Sequence, residues 1–120
     1  MQQQVAALPP VQFINVDDQQ ALRVMFSGAS TRLSPQGEQQ LKALANQLGD
    51  SDTRLQLKAY GGGSSETVSA ARRLSLSRAL AVRSYLIEQG IRSTRIDVRA
   101  LGIAKDGGPA ERVDLVLLAR

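Results

Sequence analysis

The segment Leu74–Ile91, with the sequence LSLSRALAVRSYLIEQGI, decides the fold of this chain. Apolar residues recur in it every three or four positions, which is the period of a helix with one buried face. Gly90 directly follows the periodic part, and a glycine at that place commonly ends a helix. The pattern predicts a long helix that starts near Ser65 or Glu66, runs to Gln89 and is followed by a strand.

The position of Arg78 on this helix predicts a binding role. On a helical wheel Arg78 falls at the edge of the apolar arc, beside Leu74 and Tyr85. An arginine at such an edge can lay its aliphatic stem on apolar surface and keep its charged end in solvent. We therefore expect the guanidinium of Arg78 to be presented to a groove.

The same segment resembles the central helix of OmpA-like domains, the peptidoglycan-associated C-terminal modules of Gram-negative envelope proteins. The family pattern is roughly L-S-x-x-R-A-x-x-V-x-x-Y-L, followed shortly by G-I. The matching residues are Leu74, Ser75, Arg78, Ala79, Val82, Tyr85, Leu86, Gly90 and Ile91. The segment Arg112–Leu115 is similar to the family's closing R-V-E-I, and Glu111 stands in place of the first arginine of N-R-R-V-E-I. The resemblance covers the chain from about Leu22 to Leu117.

The rest of the chain alternates between strand and helix patterns. Residues 11–16 and 22–26 predict two strands joined by a turn at residues 17–20. Ser34 can cap the next helix, with Pro35 at its first position, Glu38 as a capping-box acid and Gly49 at its end. Alternating apolar residues predict three further strands, at residues 54–60, 95–101 and 112–119.

This order predicts an α/β fold of the α+β sandwich type, with a mixed sheet and two main helices on one face. The resemblance implies the same architecture, with the order β-α-β-α-β-β. Residues 1–10 contain a Pro-Pro pair and no periodic pattern, so we expect a linker remnant there and the domain itself at residues 11–120.

Composition limits what the chain can do. Its 120 residues suffice for one domain with a modest core. The chain contains no cysteine and no histidine, which excludes cysteine nucleophiles, histidine bases and the common zinc sites. We therefore expect no enzymatic activity, no cofactor and no metal. The net charge of +4 comes mostly from arginine, which suits bidentate binding of carboxylates and phosphates.

The resemblance implies a two-point clamp on diaminopimelate in the peptidoglycan stem peptide. In the family, an aspartate in the loop after the second main strand binds the ammonium group, and the helix arginine, here Arg78, binds a carboxylate. This chain has Gly61 and Gly62 where the family has T-D, or Gly63 if the loop is shifted, so the aspartate is missing. Glu66 either replaces it or complements the helix dipole. The expected peptidoglycan-binding residues are Arg78, Gly62, Gly63, Ser64 and Ser65.

Two interpretations of the missing acid stay open. In the first, the chain is a non-covalent peptidoglycan-binding module with a weakened site that anchors an envelope protein to the cell wall. In the alternative, it is a structural or protein-interaction scaffold of OmpA-like fold without peptidoglycan affinity, and an envelope protein is its partner. Loss of one charged hydrogen-bond partner costs about 1.5–3 kcal/mol, which lowers the affinity for the ligand roughly tenfold to a hundredfold.

The remaining expectations concern location and other partners. The resemblance implies a periplasmic domain tethered to the outer or inner membrane, with any membrane contact made through regions outside this chain. Residues 72–99 contain seven arginines, but aromatic residues form only 3% of the chain, too few for stacking single-stranded bases. We expect no nucleic-acid partner.

Overall fold

The computed structural model describes residues 10–62 and 67–118 of the chain. Most of the predicted linker, residues 1–9, lies outside this range. Five strands form one mixed sheet: β1 (Ile14–Val16), β2 (Gln19–Met25), β3 (Arg54–Tyr60), β4 (Ile96–Gly102) and β5 (Arg112–Leu118). Their order across the sheet is β1-β2-β5-β3-β4. Only the β3–β4 pair is parallel in the described sheet, and every other pair is antiparallel.

The hairpin turn between β1 and β2 is shorter than the sequence predicts. Asp17 and Asp18 alone form it, and both have positive φ angles, 51° and 66°. Positive φ at both central residues is typical of the two-residue turns that match the twist of hairpin strands. Gln19 and Gln20 therefore belong to β2 rather than to the turn.

Helix α1 (Pro35–Leu48) begins as its sequence predicts. The Ser34 side chain accepts a hydrogen bond from the Gly37 backbone N–H at 2.9 Å, and Pro35 occupies the first helical position. The capping-box assignment of Glu38 is wrong, because the third position after the cap is Gly37. Glu38 instead lies in the first turn, where a negative charge complements the helix dipole.

Helix α2 (Val68–Glu88) starts later than predicted. Thr67 has an extended backbone and caps the helix, because its side chain accepts a hydrogen bond from the Ala70 N–H at 3.1 Å. The prediction that the helix starts near Ser65 or Glu66 is therefore wrong. Both of these residues lie outside the described range. Among the described residues no helix is long and apolar enough to span a membrane.

The end of α2 follows the prediction closely. Gly90 has a φ of +100°, which a glycine adopts without strain. Its N–H donates to the Ile87 carbonyl, and the Ile91 N–H donates to the Leu86 carbonyl, both at 3.0 Å. This pair of bonds is the Schellman arrangement that closes a helix before the chain reverses. A short 3-10 turn, Ser93–Arg95, then leads into β4.

Both helices cover the same face of the sheet. Strand residues of one parity and the inner faces of α1 and α2 form a single buried cluster. Its members from the central strands and helices include Leu22, Val24, Leu55, Leu57, Val113, Leu115, Leu41, Leu44, Val82 and Leu86. The predicted α+β fold, with a mixed sheet and two helices on one face, is confirmed.

Candidate functional site

Arg78 lies inside the protein rather than at the edge of a groove. Its side chain is 0% exposed, and its guanidinium carbon lies 5.1 Å from the centre of the Phe26 ring. The expectation of a solvent-facing arginine is wrong, because the wheel of one helix does not include the loops that cover α2. A buried charge is tolerated only when it is paired and hydrogen-bonded.

All three nitrogens of Arg78 bind acceptors of the protein itself. Nε donates to the Ser30 carbonyl at 2.8 Å, and Nη2 donates to the Gly28 carbonyl at 2.6 Å. Nη1 donates to the Tyr60 carbonyl at 3.2 Å and also to Oε1 of Glu111. From its place on α2, Arg78 thereby joins the loop between β2 and α1, the end of β3 and the residue just before β5.

Glu111 is the carboxylate at this site. Its Oε1 accepts hydrogen bonds from Arg78 and, at 3.3 Å, from the backbone N–H of Gly62. Its side chain is 24% exposed, whereas the side chain of its partner Arg78 is 0% exposed. The part of the ion pair that solvent reaches is therefore the acid.

Two glycines determine the path of the loop that follows β3. Gly62 has a φ of +91°, a region that residues with a side chain rarely adopt. A Cβ at Gly61 would lie 2.8 Å from Cγ of Leu74 and 3.1 Å from Nη1 of Arg78. The glycine run thus lets the loop approach α2 closely enough for the Tyr60 carbonyl and Gly62 N–H to take part in the site.

The structure brings two of the predicted site residues together. Arg78 and Gly62 bind the same carboxylate oxygen. Gly63, Ser64 and Ser65, the other predicted site residues, lie outside the described residues, as does Glu66.

Sequence reasoning did not assign Glu111, Gly28 or Ser30 to the site. They are 33 to 50 residues from Arg78 along the chain, beyond the reach of any local pattern. The signal that could have found Glu111 was its place in the closing motif, where the family has an arginine.

A second buried arginine borders the site on the other side of β3. Arg112 lies 4.1 Å from the centre of the Tyr60 ring and donates to Asp106 at 2.5 Å and to Asp114 at 3.1 Å. Asp114 also accepts from Arg23, at 2.8 Å, and this bond raises the pKa of Arg23. Burial raises the pKa of the Tyr60 hydroxyl, while Arg112 acts in the opposite direction.

Tyr60 is therefore held on both sides, by its carbonyl on Arg78 and by its ring on Arg112. Both contacts fix the point where β3 ends and the loop that begins with Gly61 and Gly62 follows. In the described part of the chain, no group of three acidic side chains could hold a metal ion. The chemistry available here is charge-assisted hydrogen bonding.

A sequence model of the OmpA family matches residues 25–111 of the chain. The OmpA-like domain of FopA1 from Francisella tularensis is 23% identical, with a TM-score of 0.72 over 87% of this chain and 76% of that one. The peptidoglycan-associated lipoprotein from Burkholderia pseudomallei is 22% identical, with a TM-score of 0.71 over 80% of this chain and 89% of that one. The periplasmic domain of Helicobacter pylori MotB is 15% identical, with a TM-score of 0.66 over 88% of this chain and 76% of that one. No curated protein sequence matches the chain. At these identities the structural matches establish a shared fold.

Proposed function

Because the chain belongs to the OmpA family, we propose that it is a peptidoglycan-binding module that holds an envelope protein on the cell wall without a covalent bond. The observation that carries the proposal is the convergence of Arg78, the Gly62 N–H and a carboxylate at one point, beside the loop that follows β3. A structural neighbour named a peptidoglycan-associated lipoprotein has the same fold. The proposed location is the periplasm of a Gram-negative cell, with an outer- or inner-membrane tether outside this chain.

The proposed ligand is the diaminopimelate residue of the stem peptide. Its free end carries one ammonium and one carboxylate group, so a site with one acid and one base can bind both charges. Arg78 forms the buried wall of this site, and Gly62, Gly63, Ser64 and Ser65 are the proposed lining of its mouth. Contact between Arg78 and a ligand carboxylate requires the bond between Arg78 and Glu111 to open, since Arg78 has no exposed surface.

Calorimetric titration with a diaminopimelate muropeptide tests this proposal. We expect saturable heat, and we expect the protein to sediment with purified peptidoglycan sacculi. The control is a muropeptide of the same length in which neutral norleucine replaces diaminopimelate, and it should bind at least tenfold more weakly, because two charge-assisted bonds are lost. A ligand control is better than Arg78→Ala, which would leave three buried carbonyls and Glu111 without their donor.

A second function is favoured by the same burial of Arg78. Because every nitrogen of its guanidinium binds an acceptor within the protein, Arg78 can act as a purely structural tie between loops. The chain would then be a scaffold of OmpA-like fold whose partner is an envelope protein. Absence of heat at millimolar muropeptide, together with no sedimentation with sacculi, would contradict the first function and leave this one.

A further inference from the structure

We infer that Glu111, the residue just before β5, binds the ammonium group of the ligand and so supplies the acid that is missing at Gly62. This inference rests on the proposed function and assigns one residue of that site a role. It also names the chemistry of the group bound, a primary ammonium. Arg78 then acts as a positioning residue, which holds Glu111 from behind.

The position of the carboxylate carries the first step. Gly62 stands where the family pattern has its acid, and the Gly62 N–H donates to Oε1 of Glu111 at 3.3 Å. The carboxylate of Glu111 therefore lies against the backbone from which the missing side chain would extend. A carboxylate is present at this point of the fold although the loop contains none in its described part, residues 61–62.

Exposure gives the second step. Within the described part of the chain, both hydrogen bonds that Glu111 accepts end on Oε1. Its side chain is 24% exposed, so solvent reaches this residue of the ion pair. Arg78, with no exposed surface, cannot be the first group that a ligand meets.

The charges around Arg78 give the third step. Three backbone carbonyls, those of Gly28, Ser30 and Tyr60, surround its guanidinium in addition to Glu111. The negative ends of these carbonyl dipoles face the guanidinium, so Glu111 is one of four acceptors that stabilise the buried positive charge rather than its sole partner. Two donors that fix Oε1 also hold the carboxylate in one orientation, which lowers the entropic cost of binding a cation.

Changes on the ligand test this inference with the protein unaltered. The unmodified diaminopimelate muropeptide is compared with one acetylated on the free side-chain amine, and with one that carries lysine, which has the ammonium but not the neighbouring carboxylate. We expect acetylation to weaken binding about tenfold to a hundredfold, the loss typical of one charged hydrogen-bond partner. The lysine ligand should bind more tightly than the norleucine ligand, because it keeps the ammonium group that Glu111 binds. Equal binding of the acetylated ligand would overturn the inference.

A change on the protein gives the second arm. Glu111→Gln keeps the shape and an acceptor oxygen but removes the charge, and should weaken binding of the unmodified ligand by the same factor. Glu88→Gln is the matched control, because it removes an exposed acid that lies about 15 Å from Arg78 along α2. It should leave affinity unchanged. A gain in affinity on Glu111→Gln would overturn the inference, since Glu111 would then be an internal competitor that keeps ligand carboxylates from Arg78.

A small probe separates this inference from the proposed function. The chemical shift of the Gly62 amide is followed during titration with 1,5-diaminopentane, which carries primary ammonium groups and no other part of the cell wall. Saturable shifts that Glu111→Gln abolishes support the ammonium site even if no muropeptide binds. Muropeptide binding without any response to the diamine or to acetylation contradicts the ammonium site and leaves the proposed function standing. Absence of both responses contradicts both.

Discussion

At the scale of single residues, buried arginines hold the loops of this domain. Arg95 is an example at the opposite end of the sheet from Arg78. Its Nε donates to the Thr53 carbonyl at 2.9 Å, its Nη1 to the Gly49 carbonyl at 3.0 Å and its Nη2 to the Ser51 hydroxyl at 3.3 Å. One planar, forked side chain thus satisfies three acceptors of the loop between α1 and β3.

Replacing Arg95 with lysine should destabilise the protein. Lysine keeps the positive charge, but its single nitrogen cannot reach three acceptors spread along a loop. Since unsatisfied buried acceptors cost about 1–3 kcal/mol, we expect the free energy of unfolding in urea to fall by about that amount. Arg92→Lys, at an exposed position three residues earlier, is the control and should have no effect. Equal stability of the two variants would mean that the fork of Arg95 contributes nothing beyond its charge.

The place of Arg78 on the helix beside the loop after β3 could be predicted from sequence, but its partner Glu111 could not. The spacing of the helix motif identifies Arg78 on α2, and Gly62 follows from its place after β3. Glu111 reaches the same point because β5 lies beside β3 in the sheet, a pairing that no local pattern contains. The burial of Arg78 arises from the same cause, since Gly28 and Ser30 cover it from a distant loop.

At the scale of elements, the fit of α2 against β4 depends on one serine. Ser75 is fully buried, donates to the Arg72 carbonyl at 2.9 Å and accepts from the Gly102 N–H at 3.1 Å. Gly102 ends β4 with a φ of +74°, opposite the register shift in β3 at Ala59 and Tyr60. The hydroxyl of Ser75 therefore satisfies a backbone donor at a point where the regular ladder is interrupted.

Ser75→Ala should leave the Gly102 N–H buried without an acceptor. We expect a loss of about 1–3 kcal/mol in the free energy of unfolding, measured by thermal and urea denaturation, and faster hydrogen exchange of the Gly102 amide. Ser77→Ala, on the exposed side of the same helix, is the matched control and should be neutral or slightly stabilising, because alanine is the better helix former. Unchanged exchange at Gly102 would show that the Ser75 hydroxyl is dispensable.

Element boundaries were predictable where the deciding signal is local. Strand β3 lies where its alternation predicts, and Gly90 ends α2 because the Schellman bonds need only neighbouring residues. The start of α2 and the length of the first turn were missed. Several adjacent polar residues could act as the helix cap, and several could form the turn. The backbone angles of Thr67, Asp17 and Asp18 decide between them.

At the scale of the whole molecule, a chain of ion pairs connects two strands and a loop. Asp114 on β5 binds Arg23 on β2 and Arg112 on its own strand, and Arg112 extends the chain to Asp106 in the loop after β4. Arg112 and Asp114 are buried, so both need a counter-charge, and each has two partners, the other member of the pair and one residue beyond it. Of the two acids in this chain of ion pairs, Asp106 is the more exposed, with a side chain that is 53% exposed.

Asp106 should make the stability of the domain depend on pH in the acid range. Hydrogen bonds from the Gly108 N–H and from Arg112 hold the pKa of the Asp106 carboxyl below its ordinary value of 3.8. A group whose pKa is lower in the folded state stabilises the protein above its unfolded pKa, and this contribution is lost as the pH falls through the folded pKa. The melting temperature of Asp106→Asn should therefore lie below that of the unaltered protein at neutral pH, and the difference should shrink as the pH drops below about 3.8.

Melting curves of both proteins between pH 2 and 7 check this expectation, with Asp50→Asn as the control at an exposed position. Because the Asp106 side chain is 53% exposed, added salt should also reduce the difference at neutral pH by screening its attraction to Arg112. Equal melting temperatures of Asp106→Asn and the unaltered protein at every pH would mean that the charge of Asp106 adds nothing to stability. In that case the ion-pair chain would end at Arg112, and the loop after β4 would be held by backbone geometry alone.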